Sequence, residues 1–175
     1  MSGVAKEGTR PGDGGAPRPR PGTRVVLGLL GWLALCYGAA LIGAQFMPGE
    51  WYAALEKPTW TPPDWLFGPV WTVLYGMMAV AAWLVWKEFG FRAASGSLVL
   101  FVGQLGLNSA WSWVFFGLHR PGLALFNLVA LCVVVAGLAF IFWKRIRLAG
   151  GLLVPYLLWI SFAAALNFEI WRLNS

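Results

Sequence analysis

The chain has 175 residues, of which 59% are hydrophobic and only 11% are charged, and its mean hydropathy is +0.67. Soluble domains carry about a quarter charged residues, so this composition excludes an ordinary water-soluble fold. The net charge of +6 does not indicate nucleic-acid binding, because the basic residues gather in the tail and in the loops between long apolar runs.

The chain opens with a tail, residues 1–24, that is rich in Gly, Pro and Arg. Such a composition cannot bury a core, so the tail is predicted to be disordered. The apolar run that follows is too long for the hydrophobic part of a signal peptide, so it is predicted to be an uncleaved first span. The remainder, residues 25–174, is predicted to form one transmembrane domain.

Five apolar runs follow one another through this domain, and each holds at least the roughly 20 residues that a helix needs to cross a bilayer. The predicted spans are about 25–47, 62–86, 93–118, 121–143 and 148–171. The runs show no two-residue alternation of the kind that marks a transmembrane β-barrel. The sequence therefore predicts an all-α membrane protein, a bundle of five transmembrane helices.

The Lys and Arg residues are distributed unevenly across these spans, with ten on the side of the N-terminus and three on the other. The three are Lys57, Arg120 and Arg172. Loops rich in Lys and Arg remain in the cytoplasm. The predicted protein is thus a multi-pass integral membrane protein with its N-terminus in the cytoplasm and its C-terminus on the opposite side.

The stretch WTPPDWLFGPVW, at the start of the second span, combines helix-starting and helix-bending signals. Thr61 is predicted to cap the helix and Pro62 to occupy its first position, where a missing N–H costs nothing. Pro69 is predicted to lie two turns further on and to bend the helix, as Pro155 does in the last span. Two bent helices can leave a hollow between them.

Aromatic and polar side chains recur at helical spacing on three of the spans. The three stripes are Trp71 and Tyr75; Gln104, Asn108, Trp111, Ser112 and Phe115; and Tyr156, Trp159, Ala163, Leu166 and Asn167. Apolar walls with a few polar anchors are typical of a small-molecule pocket. The alternative is that the asparagines only join helices by hydrogen bonds, worth about 0.6–2 kcal/mol in membranes. The pattern alone leaves both open.

The side chains that usually support catalysis or metal binding are sparse. Cys36 and Cys132 lie in separate spans and His119 is the only histidine, so no metal site and no cofactor are predicted. Glu169 lies near a span end and has no partner for acid–base chemistry in the sequence pattern. Hydrolytic or group-transfer catalysis is therefore not predicted.

Three segments carry a resemblance to a known family: WYAALEKPTWTPPDWLFGPVWTVLYG, GQLGLNSAWSWVFFG and VPYLLWISFAAALNFEIWRLN. In this order and spacing they resemble the tryptophan-rich sensory protein family, also called translocator protein or peripheral benzodiazepine receptor. The resemblance implies a five-helix bundle that binds porphyrins and, in many members, benzodiazepine-type drugs and cholesterol. It also implies a homodimer.

The resemblance also implies where a ligand binds. Trp71, Trp111 and Trp159 match the pocket tryptophans of the family, and a loop with Trp51, Tyr52 and Trp60 is expected to cover the pocket. The full predicted ligand-binding set, from the stripes and the resemblance together, is Trp71, Tyr75, Asn108, Trp111, Phe115, Trp159, Ala163, Leu166 and Asn167.

The leading hypothesis for function is a membrane receptor or sensor of tetrapyrroles such as protoporphyrin IX and haem precursors. Indole rings suit the face of a porphyrin, and an Asn or a loop Lys or Arg suits its carboxylates. One alternative is a transporter of porphyrin or sterol-like ligands. Another is light- or oxidation-dependent porphyrin degradation, with Trp71 and Trp159 taking part. The expected partners are a flat hydrophobic small molecule, the lipid bilayer and a second copy of the chain.

Overall fold

The computed structural model describes residues 21–46 and 48–175, so the predicted disorder of residues 1–20 lies outside the described part. Four long helices make up most of it: α1 (Pro21–Gly43), α3 (Phe67–Ser112), α4 (Pro121–Arg145) and α5 (Arg147–Leu173). A short helix, α2 (Glu50–Ala54), lies between α1 and α3. A 3₁₀ turn, Asp64–Leu66, leads into α3, and a π-helical turn, Trp113–Gly117, follows it. By length and composition, four helical stretches could cross a membrane.

Helix α3 is two helices joined at Gly90. The backbone of Gly90 has φ 69° and ψ 176°, which is not helical and which glycine adopts without steric cost. Residues 67–89 form a first arm and residues 91–112 a second arm. Hydrogen bonds from Tyr75 to Asn108 and from Gln104 to Met78 show that the arms fold back on one another. Counting the arms separately gives the predicted bundle of five helices, each arm about 33 Å long at 1.5 Å per residue.

Several predicted boundaries move for identifiable reasons. Helix α1 begins at Pro21, because proline suits the first helical position, so residues 21–24 are helical and not part of the tail. It ends at Gly43, four residues early. The loop predicted at residues 87–92 shrinks to Gly90, because one residue of positive φ is enough to separate the arms.

The predicted start of the second span is wrong. Thr61 does not cap a helix; its hydroxyl donates to the carbonyl of Pro58, and residues 61–63 are not helical. Helix α3 starts only at Phe67, so Pro69 lies in its first turn. A proline there disturbs little, and the predicted bend at Pro69 has no cause. Pro155 does lie inside α5, which continues through it.

Helices α4 and α5 form a tight hairpin, since Ile146 alone, in extended conformation, separates them. Gly150 lies directly against the backbone of Trp143, where a Cβ would come within 2.5 Å of the Trp143 nitrogen. Around this hairpin the core of the bundle is closely filled. Its largest fully buried apolar side chains are Met78, Phe101, Leu128, Leu131, Leu138, Phe142, Leu153, Tyr156, Ile160 and Ile170.

The bundle therefore has two distinct ends. At the Gly90 end, α1 and α5 begin, α4 ends and the arms of α3 join. At the opposite end, here called the mouth end, α1, the second arm and α5 end, the first arm and α4 begin, and α2 lies in the connection between α1 and α3.

Candidate functional site

A cavity of about 660 Å³ opens at the mouth end. This volume lies within the roughly 300–1,000 Å³ of small-molecule sites. Its walls come from α1, α2, both arms of α3 and α5. The lining residues are Tyr37, Ala40, Gly43, Ala44, Phe46, Pro48, Tyr52, Asp64, Trp65, Phe67, Gly68, Trp71, Thr72, Tyr75, Asn108, Trp111, Ser112, Phe115, Phe116, Ala163, Leu166, Asn167 and Ile170.

Eight of the nine residues predicted to bind a ligand lie in this lining. They are Trp71, Tyr75, Asn108, Trp111, Phe115, Ala163, Leu166 and Asn167. Trp159 is the ninth and does not line the cavity. Its ring packs against Phe67, at a centroid distance of 5.8 Å, and against Phe162, at 5.6 Å. Trp159 thus supports the wall from behind.

Of the three residues predicted to cover the pocket, one lines the cavity and two do not. Tyr52, on α2, is buried and lines the cavity. Trp51 instead stacks on His119, with ring centroids 4.3 Å apart and planes 16° from parallel. Trp60 is 45% exposed and meets Phe162 edge-on.

Aromatic rings form the walls and hold one another in place. Trp71 lies 5.7 Å from Tyr75 and 6.2 Å from Tyr156, measured between ring centroids. On the second arm, Trp111 and Phe115 are 5.7 Å apart. These distances are those of favourable aromatic pairs, each worth about 0.5–1.5 kcal/mol beyond its buried area. The rings of the walls therefore support one another by direct contact.

Beneath the walls lies a chain of buried hydrogen bonds that crosses three helical segments. The Tyr75 hydroxyl donates to Asn108 Oδ1 at 2.7 Å, and Asn108 Nδ2 donates to the Tyr156 hydroxyl at 2.9 Å. The Tyr156 hydroxyl donates to Gln104 Oε1 at 2.9 Å. Gln104 Nε2 lies 3.6 Å from the Met78 sulfur. We call these five residues the polar floor; each is satisfied by its neighbour, so the floor fixes the spacing of the arms and α5.

A second polar pair fixes the wall of the second arm. Trp111 Nε1 donates to Asn167 Oδ1 at 3.2 Å, and Asn167 Nδ2 donates to the carbonyl of Pro121 at 2.7 Å. One asparagine thus orients an indole in the cavity and ties α5 to the start of α4. The sequence left two roles open for Asn108 and Asn167, interhelical hydrogen bonding and lining a pocket. In the structure both residues do both.

Asn174 fastens the segment between α2 and α3, here called the cover, to the end of α5. Its Oδ1 accepts a hydrogen bond from the Glu56 backbone N–H at 3.0 Å, and its Nδ2 donates to the Glu56 carbonyl at 2.9 Å. The side-chain amide thereby pairs with the backbone N–H and C=O of a single residue in the segment after α2. This latch joins the segment that follows the cavity-lining Tyr52 to the end of α5.

Several lining residues were not predicted: Tyr37, Phe46, Asp64, Trp65, Thr72 and Phe116. Tyr37 stands alone on α1 without a polar companion at helical spacing, so the sequence pattern offered no signal for it. Its hydroxyl donates to the Thr72 carbonyl at 2.9 Å and closes the side of the cavity. The Lys or Arg expected to face ligand carboxylates is not found among the described lining residues, where Asp64 is the only charged side chain.

Comparison with known proteins finds a family model, TspO/MBR family, that matches residues 32–172. The chain is 43% identical to the translocator protein of Homo sapiens over 138 residues, which cover 76% of this chain and 82% of the human one. It is 42% identical over 152 residues to the tryptophan-rich protein TspO of Archaeoglobus fulgidus, covering 87% of this chain and 97% of that one. It is 41% identical over 145 residues to the tryptophan-rich sensory protein of Cereibacter sphaeroides, covering 83% and 90%.

Proposed function

The chain belongs to the TspO/MBR family of multi-pass membrane proteins, and from that premise we propose that it is a membrane receptor whose mouth-end cavity binds tetrapyrroles. The single observation that carries the proposal is the cavity itself, about 660 Å³ in volume and walled by indole, phenol and phenyl rings. A porphyrin is flat, aromatic and poorly soluble in water. Ring faces and edges at stacking distances match it better than aliphatic walls do.

The depth of the cavity supports binding within the bundle rather than on its surface. Trp71 on the first arm and Trp111 on the second both line the cavity, and Tyr75 and Asn108 join its lining to the buried polar floor. A flat ligand that enters between the arms can contact rings from both of them. The floor presents no unpaired polar atom among its tyrosine and amide groups, so an apolar edge can rest on it without breaking hydrogen bonds.

The test is a titration of the full-length protein in nanodiscs with protoporphyrin IX, followed by the shift of the porphyrin Soret absorbance. This signal does not depend on the protein's own tryptophans. Trp71→Leu removes a ring from the wall and is expected to weaken binding about tenfold, by loss of roughly 1.4 kcal/mol of stacking and burial.

The matched control is Trp113→Leu. Trp113 lies in the π-helical turn beside the site, but it is 47% exposed and does not line the cavity. Its substitution should leave the Kd within about twofold, a change of no more than about 0.4 kcal/mol. Equal Kd values for the two variants would show that protoporphyrin does not bind in the cavity.

A further inference from the structure

A second, smaller cavity lies at the Gly90 end and shares no lining residue with the cavity at the mouth end. Its volume is about 220 Å³. The residues that line it are Arg24 and Val25 of α1, Trp86 and Lys87 of the first arm, and Gly90. This volume is below the roughly 300 Å³ of sites that enclose a whole small molecule. The cavity therefore has room for a small chemical group rather than for a complete ligand of that class.

Contacts between α1 and the first arm hold the two sides of this cavity together. The Trp83 indole N–H donates to the Val25 carbonyl at 3.0 Å. The Trp86 ring covers Gly28, where a Cβ would collide with it. Lys87 Nζ lies 5.1 Å from the centroid of the Trp83 ring, which is a cation–π distance. The start of α1 and the end of the first arm are therefore fixed against one another, and Lys87 is held beside them.

Two positive charges meet at this cavity, one from each helix. Arg24 and Lys87 both line it, and its described lining contains no acidic residue. Glu88 is the only acid that the described residues place at this end, and it is exposed and lies outside the lining. Neither Arg24 nor Lys87 forms a salt bridge with another described residue. Like charges that face one cavity repel one another, so this arrangement favours an anion between them.

The surroundings of the cavity carry the same sign of charge. Lys and Arg residues outnumber acids six to one among the described residues at the Gly90 end, and the six are Arg24, Lys87, Arg92, Lys144, Arg145 and Arg147. Clusters of four to eight such residues beside the ends of transmembrane helices attract anionic lipids. The wider field therefore favours the same class of ligand as the cavity does.

The surface next to the cavity is apolar along α1. Leu27, three residues further into the bundle than Arg24, is 57% exposed, and Leu30, three residues beyond it, is 55% exposed. Residues three apart lie close together on one side of a helix, so the basic cavity continues into an exposed apolar track. A membrane lipid has both a charged head group and an acyl chain, whereas a free phosphate ion has only the charge. The combination favours a lipid.

We propose that the Gly90-end cavity binds the head-group phosphate of an anionic membrane lipid, with Arg24 and Lys87 as its two cationic contacts. The phosphate oxygens accept hydrogen bonds from the guanidinium and ammonium groups, and an acyl chain lies along Leu27 and Leu30. A zwitterionic lipid would bring its own ammonium group to the same two cations. Phosphatidylglycerol is therefore preferred to phosphatidylcholine. The site goes beyond the proposed function, because it lies outside the tetrapyrrole cavity.

Native mass spectrometry of the full-length protein tests this proposal, because it counts the lipids that the protein retains. The protein in detergent is titrated with phosphatidylglycerol and with phosphatidylcholine of the same acyl chains. Wild type is expected to bind one phosphatidylglycerol about tenfold more tightly than phosphatidylcholine. The double variant Arg24→Gln with Lys87→Gln is expected to reduce this preference to within about twofold.

The matched control is the double variant Arg92→Gln with Arg147→Gln. It removes two positive charges from the same end, at exposed residues outside the cavity lining, and should keep the preference. Arg24→Lys with Lys87→Arg retains both charges at the cavity and is also expected to keep it. Thermal unfolding in the same detergent checks that each variant is folded. Inorganic phosphate at millimolar concentration is expected not to displace the lipid, since it has no acyl chain.

Three results would overturn the inference. An equal loss of preference in the cavity variant and the matched control would assign the effect to the net charge of this end. Loss of preference in the folded charge-retaining variant would show that the two positive charges do not carry the binding. Displacement of the lipid by inorganic phosphate would assign the cavity to a free anion.

Discussion

The two ends of the bundle are both rich in aromatic rings, yet they differ in the space they enclose: the hollow beside Trp86 and Gly90 measures about 220 Å³, a third of the cavity at the mouth end. At the Gly90 end, Trp32 meets Phe101 edge-on at 5.7 Å, and Phe101 stacks on Phe142 at 6.3 Å. At the mouth end, rings at similar distances surround the 660 Å³ cavity. Aromatic content therefore does not determine which end encloses the larger space.

The difference lies in what the rings pack against. At the Gly90 end, Trp86 covers Gly28 and the backbone of Trp143 lies against Gly150, so missing Cβ atoms let helices and rings close together. At the mouth end, Tyr75, Trp111 and Tyr156 are held by hydrogen bonds to side-chain amides. The closest glycine contacts, at Gly28 and Gly150, lie at the Gly90 end, and the hydrogen bonds to side-chain amides fix the rings around the cavity.

The strongest test of this comparison is a methyl group at the Gly90 end. Gly150→Ala places a Cβ about 2.5 Å from the Trp143 backbone, which cannot move without opening the α4–α5 hairpin. We expect a loss of about 1–3 kcal/mol in the free energy of unfolding, larger than the gain in helix propensity of about 1 kcal/mol. The measurement is thermal or denaturant unfolding in detergent.

The neighbouring glycine supplies the control. A Cβ at Gly151 would lie 3.7 Å from the Trp143 ring, an ordinary contact, so Gly151→Ala should be neutral or slightly stabilising. The same stability for both variants would mean that close approach at Gly150 does not hold the hairpin together.

At the mouth end, the corresponding change is the removal of one hydroxyl. Tyr156→Phe leaves Asn108 Nδ2 and Gln104 Oε1 without their partner in a fully buried place. We expect a loss of about 1 kcal/mol in unfolding free energy and a weaker affinity for protoporphyrin IX, as the floor loosens. Unfolding and the Soret titration measure the two effects.

Tyr37→Phe is the matched variant, since the Tyr37 hydroxyl also donates one hydrogen bond, but at an exposed position and to a backbone carbonyl. It should cost less than about 0.5 kcal/mol, near the low end for a single hydrogen bond. If it costs as much as Tyr156→Phe, the buried floor has no special part in keeping the cavity open.

The Gly90 end was largely predictable from the sequence, and the mouth end only in part. Apolar run lengths set the number of helices, and the loop predicted at residues 87–92 contains the break that the structure confines to Gly90. The helical spacing of Asn108, Trp111 and Phe115 placed them on one face, and they line the cavity. Periodicity within one helix is a local property, and the sequence contains it in full.

What could not be predicted depends on how helices approach one another. Tyr37 reaches the cavity because α1 lies against the first arm, and Trp159 packs against Phe67 and Phe162 outside the lining. The role of Asn174 needs the return of the segment after α2, 118 residues away in the chain. Contacts between residues that are far apart in the chain produce no periodic pattern in the sequence, so they cannot be inferred from it.

Removing the latch tests whether the dissociation rate of the ligand depends on the cover. Asn174→Ala removes both hydrogen bonds to the Glu56 backbone, each worth about 0.5–1.5 kcal/mol. We expect protoporphyrin IX to dissociate roughly fivefold faster, because a looser cover stabilises the bound ligand less, with little change in the association rate. Stopped-flow displacement measures the dissociation rate.

Ser175→Ala is the control for that variant, since its hydroxyl bonds only the carbonyl of Trp171 within the last turn. Its dissociation rate should match wild type. A latch variant that releases the ligand no faster than this control would show that the cover between α2 and α3 does not gate the cavity.

The smallest expected effect on ligand affinity is that of Trp159, which lies behind the cavity wall. Trp159 was predicted to bind the ligand, but its ring faces Phe67 and Phe162 and takes no part in the lining. Trp159→Phe keeps an aromatic ring against both neighbours, so the Kd for protoporphyrin IX should change by less than about twofold, whereas Trp71→Leu changes it about tenfold. A tenfold loss from Trp159→Phe would mean that the ligand displaces Phe67 and reaches the second layer of rings. The position of Phe67 in the cavity wall would then change on ligand binding. The hydrogen bonds of the polar floor would fix the base of the cavity but not this wall.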